Sequence, residues 1–402
     1  MKDRTAELLA PPPDFHDLET LVRGRIREMI VEILDEELES ALGASSHERT
    51  PARTGYRHGS RPPRRLMTSF GPVQVEVPRA RVKTETGTKE FKSEIVRRYA
   101  RRTRRLDAAL ITSYLVGTNT RKVRLALRPL VEGTAMSRSA VSRVVKRLQD
   151  LFDAWRGRDL SQESYVILLL DAIRVPVRLA RRVVKVPVQA VLGVKASGEK
   201  ELLELRLVPS ESLKSWEGVI EALVRRNLAA PLLVLLDGNA GLIRSVREAW
   251  PGARLQRCTK HKLENLLAKA PKHSHPELKR DYGAITHAKN REEAEKAYEA
   301  FCRKWQKLVP EVVLSLKEAG SELLSFYDFP SEMWKSLRTT NLIERVNGEF
   351  RRRIKTQGSF PTEAAALTLL FGLIASGAIR LRKIDGYHKL NEVIAAAQRK
   401  IA

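Results

Sequence analysis

The strongest constraint on the fold is an almost continuous apolar run, Tyr165 to Val177, interrupted by Asp171 and Arg174. A strand this apolar belongs in the middle of a sheet, covered on both faces. An ionised carboxylate within it is costly unless something positive sits beside it. Two further strands are expected: Val183 to Val194 is rich in β-branched residues, and Leu202 to Val208 alternates. A helical pattern from Leu213 to Arg226 follows, then a second buried run, Pro231 to Leu236, that ends at Asp237 and poses the same electrostatic problem.

Three strands, a helix and a further strand beside the first is the order of an RNase H-like core of the α/β class. The pattern continues with a helix from Leu242 to Trp250, a short strand from Ala253 to Arg257 and a helix from Thr259. Lys269 to Met333 is charged and helical, an α-helical insertion, and helices over Asn341 to Ile354 and Thr362 to Ile379 follow. If the first and fourth strands are neighbours, Asp171 and Asp237 meet at one point of the sheet. Oxygen-only ligands suit Mg²⁺, and two such ions clamp the attacking and leaving oxygens of an in-line phosphoryl transfer. A third carboxylate is then expected from a helix, and Glu344 in Thr339–Asn347 is the candidate. Simpler readings stand beside this one: an ion pair of Asp171 with Arg174 or Arg178, a turn at Asp237-Gly238, and a capping box joining Asn341 to Glu344.

Charge divides the chain. Its formal net charge is +25, which in a chain with 43% hydrophobic residues asks for a polyanionic partner rather than disorder. Residues 1–50 nevertheless carry six basic against twelve acidic residues, net −6. There, Leu21, Val22, Ile26, Ile30, Ile33, Leu34 and Leu38 trace an amphipathic helix suited to oligomerisation or internal packing. Arg, Gly and Pro dominate Arg49 to Arg81, and Met67 to Val77 reads as a hairpin with Gly71-Pro72 at its turn. From Arg97 to Arg147, fourteen basic residues face two acidic ones, net +12. Helical patterns at Leu106 to Leu115 and Val123 to Leu130, a break at Gly133 to Ser137 and a helix from Ser139 suggest a helix-turn-helix. Arg138, Arg143 and Lys146 are its candidate DNA contacts.

Several motifs in fixed order make the reading specific. They are Arg53-Thr-Gly-Tyr-Arg-His-Gly59, Thr68 to Gly71, Val77-Pro-Arg-Ala-Arg81, Asp237-Gly-Asn-Ala-Gly-Leu242, Gln256 to Asn265, Thr339 to Arg345, Arg352-Arg-Ile-Lys355 and Gly358-Ser-Phe-Pro361. Over residues 50 to 375 the chain resembles the Mutator-type transposases of bacterial insertion sequences. The resemblance implies a DDE transposase that binds the terminal inverted repeats of its element and catalyses metal-dependent strand cleavage and strand transfer. It also implies a triad of Asp171, Asp237 and Glu344 and two Mg²⁺ ions, with Mn²⁺ as a substitute. The family usually has Gly and an aromatic residue after the first Asp, where this chain has Ala172-Ile173; the later Arg178 fits its pattern. The competing class is a non-catalytic helix-turn-helix protein or an inactivated transposase.

Cys258 and His261 form a Cys-x-x-His pair that the family and its relatives share. It reads as support beside the triad or, with His273 and His275, as a zinc site. Trp305 and Trp334 are candidates for base stacking or for the core of the insertion. Arg345, Arg351, Arg352, Arg353 and Lys355 follow Glu344 with only Glu349 among them, which points to phosphate contacts. The expected partners are double-stranded DNA, as element ends and target, and further copies of the chain, at least a dimer; no small-molecule substrate is expected. Two cysteines, no apolar leader, and an uncharged stretch, Ala364 to Ile379, shorter than the roughly 20 residues of a membrane span lead us to expect a bacterial cytoplasmic, nucleoid-associated protein. The organisation expected is an acidic helical segment (1–48), a basic hairpin segment (49–96), a helix-turn-helix-like DNA-binding domain (97–158), a first core part (159–268), the insertion (269–335), a second core part with the Glu344 helix (336–380) and a tail (381–402).

Overall fold

The computed structural model describes residues 13–84, 86–115 and 138–399. The chain is a mixed α/β protein of two compact units, residues 1–146 and 147–402.

In the first unit, helix α1 (Pro13–Leu42) is the expected amphipathic element. It packs within the chain. Ile26, Ile30 and Leu34 lie against Leu66, Val73, Val75 and Val77, while Leu38 and Leu42 cover Ala80 and Phe91. Strands β1 (Gly55–Ser60), β2 (Arg64–Thr68), β3 (Gly71–Val75), β4 (Pro78–Thr84) and β5 (Gly87–Glu90) form a β2–β3 hairpin and an antiparallel sheet of order β1-β4-β5. The hairpin turns at Ser69-Phe70 rather than at Gly71-Pro72. Thr68 Oγ1 accepts from the Phe70 N–H (3.1 Å) and donates to the Gly71 carbonyl (2.8 Å), so the side chain closes the turn one step earlier. Gly71 then opens β3 with φ +106°, a conformation that favours glycine. Helix α2 (Arg104–Leu115) follows. The expected second helix and break, residues 123–137, lie outside the described residues.

Helix α3 (Arg138–Arg156) leads to a five-stranded sheet of order β10-β9-β6-β7-β8. Its strands are β6 (Tyr165–Leu179), β7 (Arg182–Lys195), β8 (Lys200–Leu207), β9 (Leu233–Leu236) and β10 (Arg254–Arg257). β6, β9 and β10 are parallel, and β7 runs antiparallel to both β6 and β8. Helices α4 (Leu213–Arg225) and α5 (Ala240–Ala249) cover one face, where Trp216, Val219, Leu223 and Val246 meet Leu168, Leu170, Val234 and Leu236. Strand alternation sends Ile167, Leu169 and Asp171 to the other face.

The helices that follow are α6 (Thr259–Lys269), α7 (His275–Thr286), α8 (Arg291–Leu308), α9 (Pro310–Ala319), α10 (Trp334–Leu337), α11 (Asn341–Gln357), α12 (Glu363–Ala375) and α13 (Leu390–Arg399). Helices α7 to α9 and the short turns after them attach to β10. Gln256 Nε2 donates to the Leu323 carbonyl (3.0 Å), and its Oε1 accepts from the Phe326 N–H (2.7 Å). Buried Arg257 and Lys262 both reach Glu318 of α9, at 2.8 and 2.6 Å. Trp305 is fully buried and donates to Asp281 (3.0 Å). The Trp334 indole donates to the Phe329 carbonyl (2.7 Å) and packs edge-on against Tyr327, so both tryptophans are committed to packing. No helix among the described residues is long and apolar enough to cross a membrane.

Leu236 is fully buried in the core under Asp237. Leu236→Ala is expected to cost about 3 kcal/mol, read as a lower urea midpoint with an unchanged m-value.

Candidate active site

Register builds the site. β6 and β9 pair Ile167 with Leu233, Leu168 with Val234 and Leu169 with Leu235. Extended two residues, that register sets Asp171 level with Asp237. β9 and β10 pair Leu236 with Arg257, and the Cys258 N–H donates to the Leu236 carbonyl (2.9 Å). Asp171, Asp237 and Cys258 thus stand abreast on three neighbouring parallel strands, Asp171 midway along β6 and the other two just beyond the carboxyl ends of β9 and β10.

Asp171 is half-buried. Its Oδ1 accepts from the Ala172 N–H (2.9 Å) and its Oδ2 from Asn347 Nδ2 (2.7 Å). Burial is the main force raising its carboxyl, and the Asp237 charge adds to it; the donors and His261 oppose them, and the balance lies at about 6. Arg174 does not neutralise it, being 3.7 Å from Glu211 instead. Asp237 Oδ1 accepts from the Asn239 N–H (2.9 Å), so the tight turn expected as an alternative coexists with the carboxylate position. A Cβ at Gly238 would fall 2.8 Å from Arg257 Nη2, so a larger residue there would push on the guanidinium that binds Glu318.

Glu344 lies in the first turn of α11, three residues before fully buried Asn347. No Asn341 capping box forms, since Thr340 is the N-cap and makes no side-chain cap bond. Instead Thr340 Oγ1 donates to Glu344 (3.0 Å), Lys260 Nζ donates to its other oxygen, and His261 Nε2 lies 3.7 Å away. Burial works against the carboxylate, but Lys260, Thr340 and His261 outweigh it and hold the group below its usual value.

Cys258 and His261 belong to the same cluster. The thiol sulfur, a His261 ring nitrogen and a Glu344 oxygen lie within 4.8 Å of one another. The Thr340 N–H donates to Cys258 Sγ (3.4 Å), and the Thr340 hydroxyl, whose single proton serves either Glu344 or the sulfur, lies 3.2 Å from Sγ. Burial disfavours the thiolate, yet His261 and Thr340 lower the Cys258 thiol overall. Reciprocally, Cys258 raises the imidazole against the effect of burial, to about 9, although Nδ1 makes no well-formed hydrogen bond. His273 and His275 do not join this group; the His275 ring lies 3.1 Å from the Ala270 carbonyl. The four-ligand zinc site expected with His273 and His275 is therefore not formed. Among the described residues Asp171, Asp237 and Glu344 are not gathered into one group at metal-ligand spacing; the group that is consists of Cys258, His261 and Glu344. A cation near Asp171 would offset the Asp237 charge that helps to raise its carboxyl.

The remaining sequence candidates are spread out. Arg178 does not reach the site: it is exposed, seven residues along β6 from Asp171, about 23 Å away and on the opposite strand face. Its N–H donates to the Phe360 carbonyl (2.8 Å). Arg345, Arg351 and Arg352 are exposed on α11 and Arg353 is half-buried; Arg352 pairs with Glu349 (3.1 Å). Arg143 and Lys146 are exposed on α3, which begins at Arg138; the Arg138 side chain lies outside the described residues. Asn347, Thr340 and Lys260 were not singled out from sequence. The spacing of Asn347 three residues after Glu344, on one helix face, was the available signal.

The sequence profile of the Mutator family of transposases matches residues 5–379. A transposase for insertion sequence element ISRM5 of Rhizobium meliloti is 33% identical over 352 residues, covering 88% of this chain and 86% of that protein. A transposase for insertion sequence element IS1081 of Mycobacterium tuberculosis is 31% identical over 355 residues, covering 88% and 84%. Among solved structures, a chain of the Drosophila P element transposase strand transfer complex aligns at TM-score 0.28 and 9% identity over 73% of this chain and 84% of that one, too distant to carry an inference. The chain belongs to the Mutator family of transposases.

The raised carboxyl of Asp171 has a sign that can be worked out. An acid whose folded pKa exceeds its unfolded value of about 3.9 favours the folded state when protonated, so its ionisation removes stability as pH rises from about 4 through about 6. Without divalent ions, Asp171→Asn should raise stability at pH 8 by on the order of 2 kcal/mol. The gain should shrink as pH is lowered towards 5, as read from urea midpoints across that range.

Proposed function

We propose that this chain is the transposase of a bacterial insertion sequence, a DDE enzyme that binds the inverted repeats of its element and catalyses DNA strand cleavage and strand transfer. The five-stranded order, with its second strand antiparallel, supports an RNase H-like core interrupted by an α-helical insertion. The observation that carries the chemistry is the level placement of Asp171 and Asp237 on adjacent parallel strands, with the Glu344 helix bound to Asp171 through Asn347.

In this reading Asp171, Asp237 and Glu344 would hold two divalent ions, Mg²⁺ or in its place Mn²⁺, whose chemistry is to neutralise charge on the attacking and leaving oxygens. The side chains prepare that site. Asn347 and the Ala172 N–H fix the Asp171 carboxylate, and Thr340 and Lys260 keep Glu344 ionised and oriented. Cys258 holds His261 as a cation facing the acids, and Thr340 joins the two clusters because it donates to both Cys258 and Glu344. Arg345, Arg351, Arg352 and Arg353 supply phosphate contacts along α11, and Arg138, Arg143 and Lys146 supply DNA contacts on α3 as the second helix of a helix-turn-helix. Cleavage frees a 3′-hydroxyl that attacks target DNA, two phosphoryl transfers that one site serves in turn. Joining two ends asks for at least two copies of the chain.

Asp237→Ala tests this directly. End binding should persist, while Mg²⁺-dependent nicking at the element boundary falls at least ~10³-fold, equivalent to ~4 kcal/mol. Absence of nicks from the unmodified chain with its cognate ends and Mg²⁺ or Mn²⁺ would leave a DNA-binding protein without catalysis. Nicks without regard to terminal sequence would indicate a general nuclease.

A further inference from the structure

Two of the N-terminal motifs, Arg53–Gly59 and Val77–Arg81, have no part in the chemistry above. The fold pairs them. β1 runs antiparallel to β4 with Tyr56 opposite Arg81 and Arg57 opposite Ala80, and β4 is the central strand, with Arg81 opposite Glu90 of β5.

Alternation gives this sheet two unlike faces. Ala80 and Val82 turn inward onto Leu38, Leu42 and Phe91. On that side the Arg57 guanidinium is taken by Asp35 (2.8 Å) and Glu39 (3.1 Å), so acidic residues of α1 are used on the inner face. The outer face presents Arg79, Arg81 and Lys83, all exposed and spaced about 7 Å apart along one strand. Tyr56, 64% exposed, stands beside Arg81. These residues border a depression of about 720 Å³ whose carboxylate is Glu90, already engaged by Arg61 (3.0 Å) and Arg79 (3.3 Å). Arg81 and Lys83 have no ion pair among the described residues.

We propose that this outer face docks the phosphate backbone of duplex DNA, with Arg79, Arg81 and Lys83 as separate phosphate contacts and Tyr56 against the sugar-phosphate edge. The inference rests on the reading that the chain acts on DNA, and adds to it a β-sheet contact surface apart from α3 and α11. A row of evenly spaced cations, of which Arg81 and Lys83 have no acidic partner among the described residues and Arg79 shares Glu90 with Arg61, matches a continuous row of anions, and each such contact gains from counterion release. Single-stranded DNA would need aromatic faces to stack on. Here the sheet offers one ring, and Arg53 already lies over it at 5.1 Å. The contacts are to backbone, so they add affinity without sequence preference.

The test uses the full chain without divalent ions and two duplexes of equal length, one carrying the DNA end that flanks the gene and one scrambled. Arg79→Gln, Arg81→Gln and Lys83→Gln combined should weaken both duplexes alike and reduce the slope of log K against log salt by about 2 to 3, roughly 0.9 per lost contact. Lys296→Gln on α8 should change neither. An unchanged slope and affinity in the triple variant overturns the proposal, and a change confined to protein self-association would reassign the face. If the unmodified chain binds no duplex, the DNA reading falls with it; intact binding without nicking touches only the catalytic reading. A second measurement needs no substitution: bound duplex should protect Lys83 from amine acylation relative to Lys296, and equal labelling of the two would also overturn the proposal.

Discussion

Two carboxylates level with one another on adjacent parallel strands cannot both be comfortable in a partly buried place, and the surrounding structure is organised around that conflict. Burial and the Asp237 charge push Asp171 up to about 6. What opposes them comes from separate parts of the chain: the Ala172 N–H from the strand itself, Asn347 from α11, and the charge of His261 from α6. The helix that brings the third acid is bound to the strand that bears the first. The site is therefore a local electrostatic imbalance held in place by a much larger apolar core.

The opposite arrangement applies one strand further on. Cys258 begins α6 and, with Thr340 and His261 around it, is biased towards the thiolate. A buried sulfur that accepts a backbone N–H is a means of orienting neighbours. The Thr340 N–H donates to Cys258 while its hydroxyl lies within reach of both Cys258 and Glu344, and the Thr259 N–H and hydroxyl both donate to the Arg338 carbonyl, at 3.0 and 2.9 Å. The start of α6 and the entry to α11 are thus fastened together although 79 residues separate them.

Much of this was legible in sequence, for a physical reason. Apolar runs interrupted by single acids carry their own period, and the strands and helices so bounded in the second unit fall within about four residues of where the patterns put them, whereas α13 stands where only a tail was expected. The amphipathic spacing likewise named Ile26, Ile30, Leu34 and Leu38 on the packed face of α1, while Leu21 and Ile33, read onto the same face, are exposed. Periodicity reports which face a residue takes, not what stands opposite. The grip of Asn347 on Asp171 spans 176 positions and Lys260 reaches Glu344 across 84, so neither could be read locally. Arg178 is the converse case. A motif placed it with Asp171, but the continuous extended geometry of β6 carries it far along the strand. The hairpin turn moved because a threonine hydroxyl, rather than Gly-Pro, closes it.

The insertion between α6 and α11 has a consequence for the order in which the chain is made. Asp171 and Asp237 belong to strands that can pair as soon as residues up to β9 have emerged. Glu344 follows more than a hundred residues later, after helices that must dock on Gln256, Arg257 and Lys262. Domains fold as units during synthesis from the N-terminal side, so a growing chain holds its paired aspartates well before it has the glutamate. The Glu344 helix can be fastened to Asp171 through Asn347 only once the chain has been translated through α11.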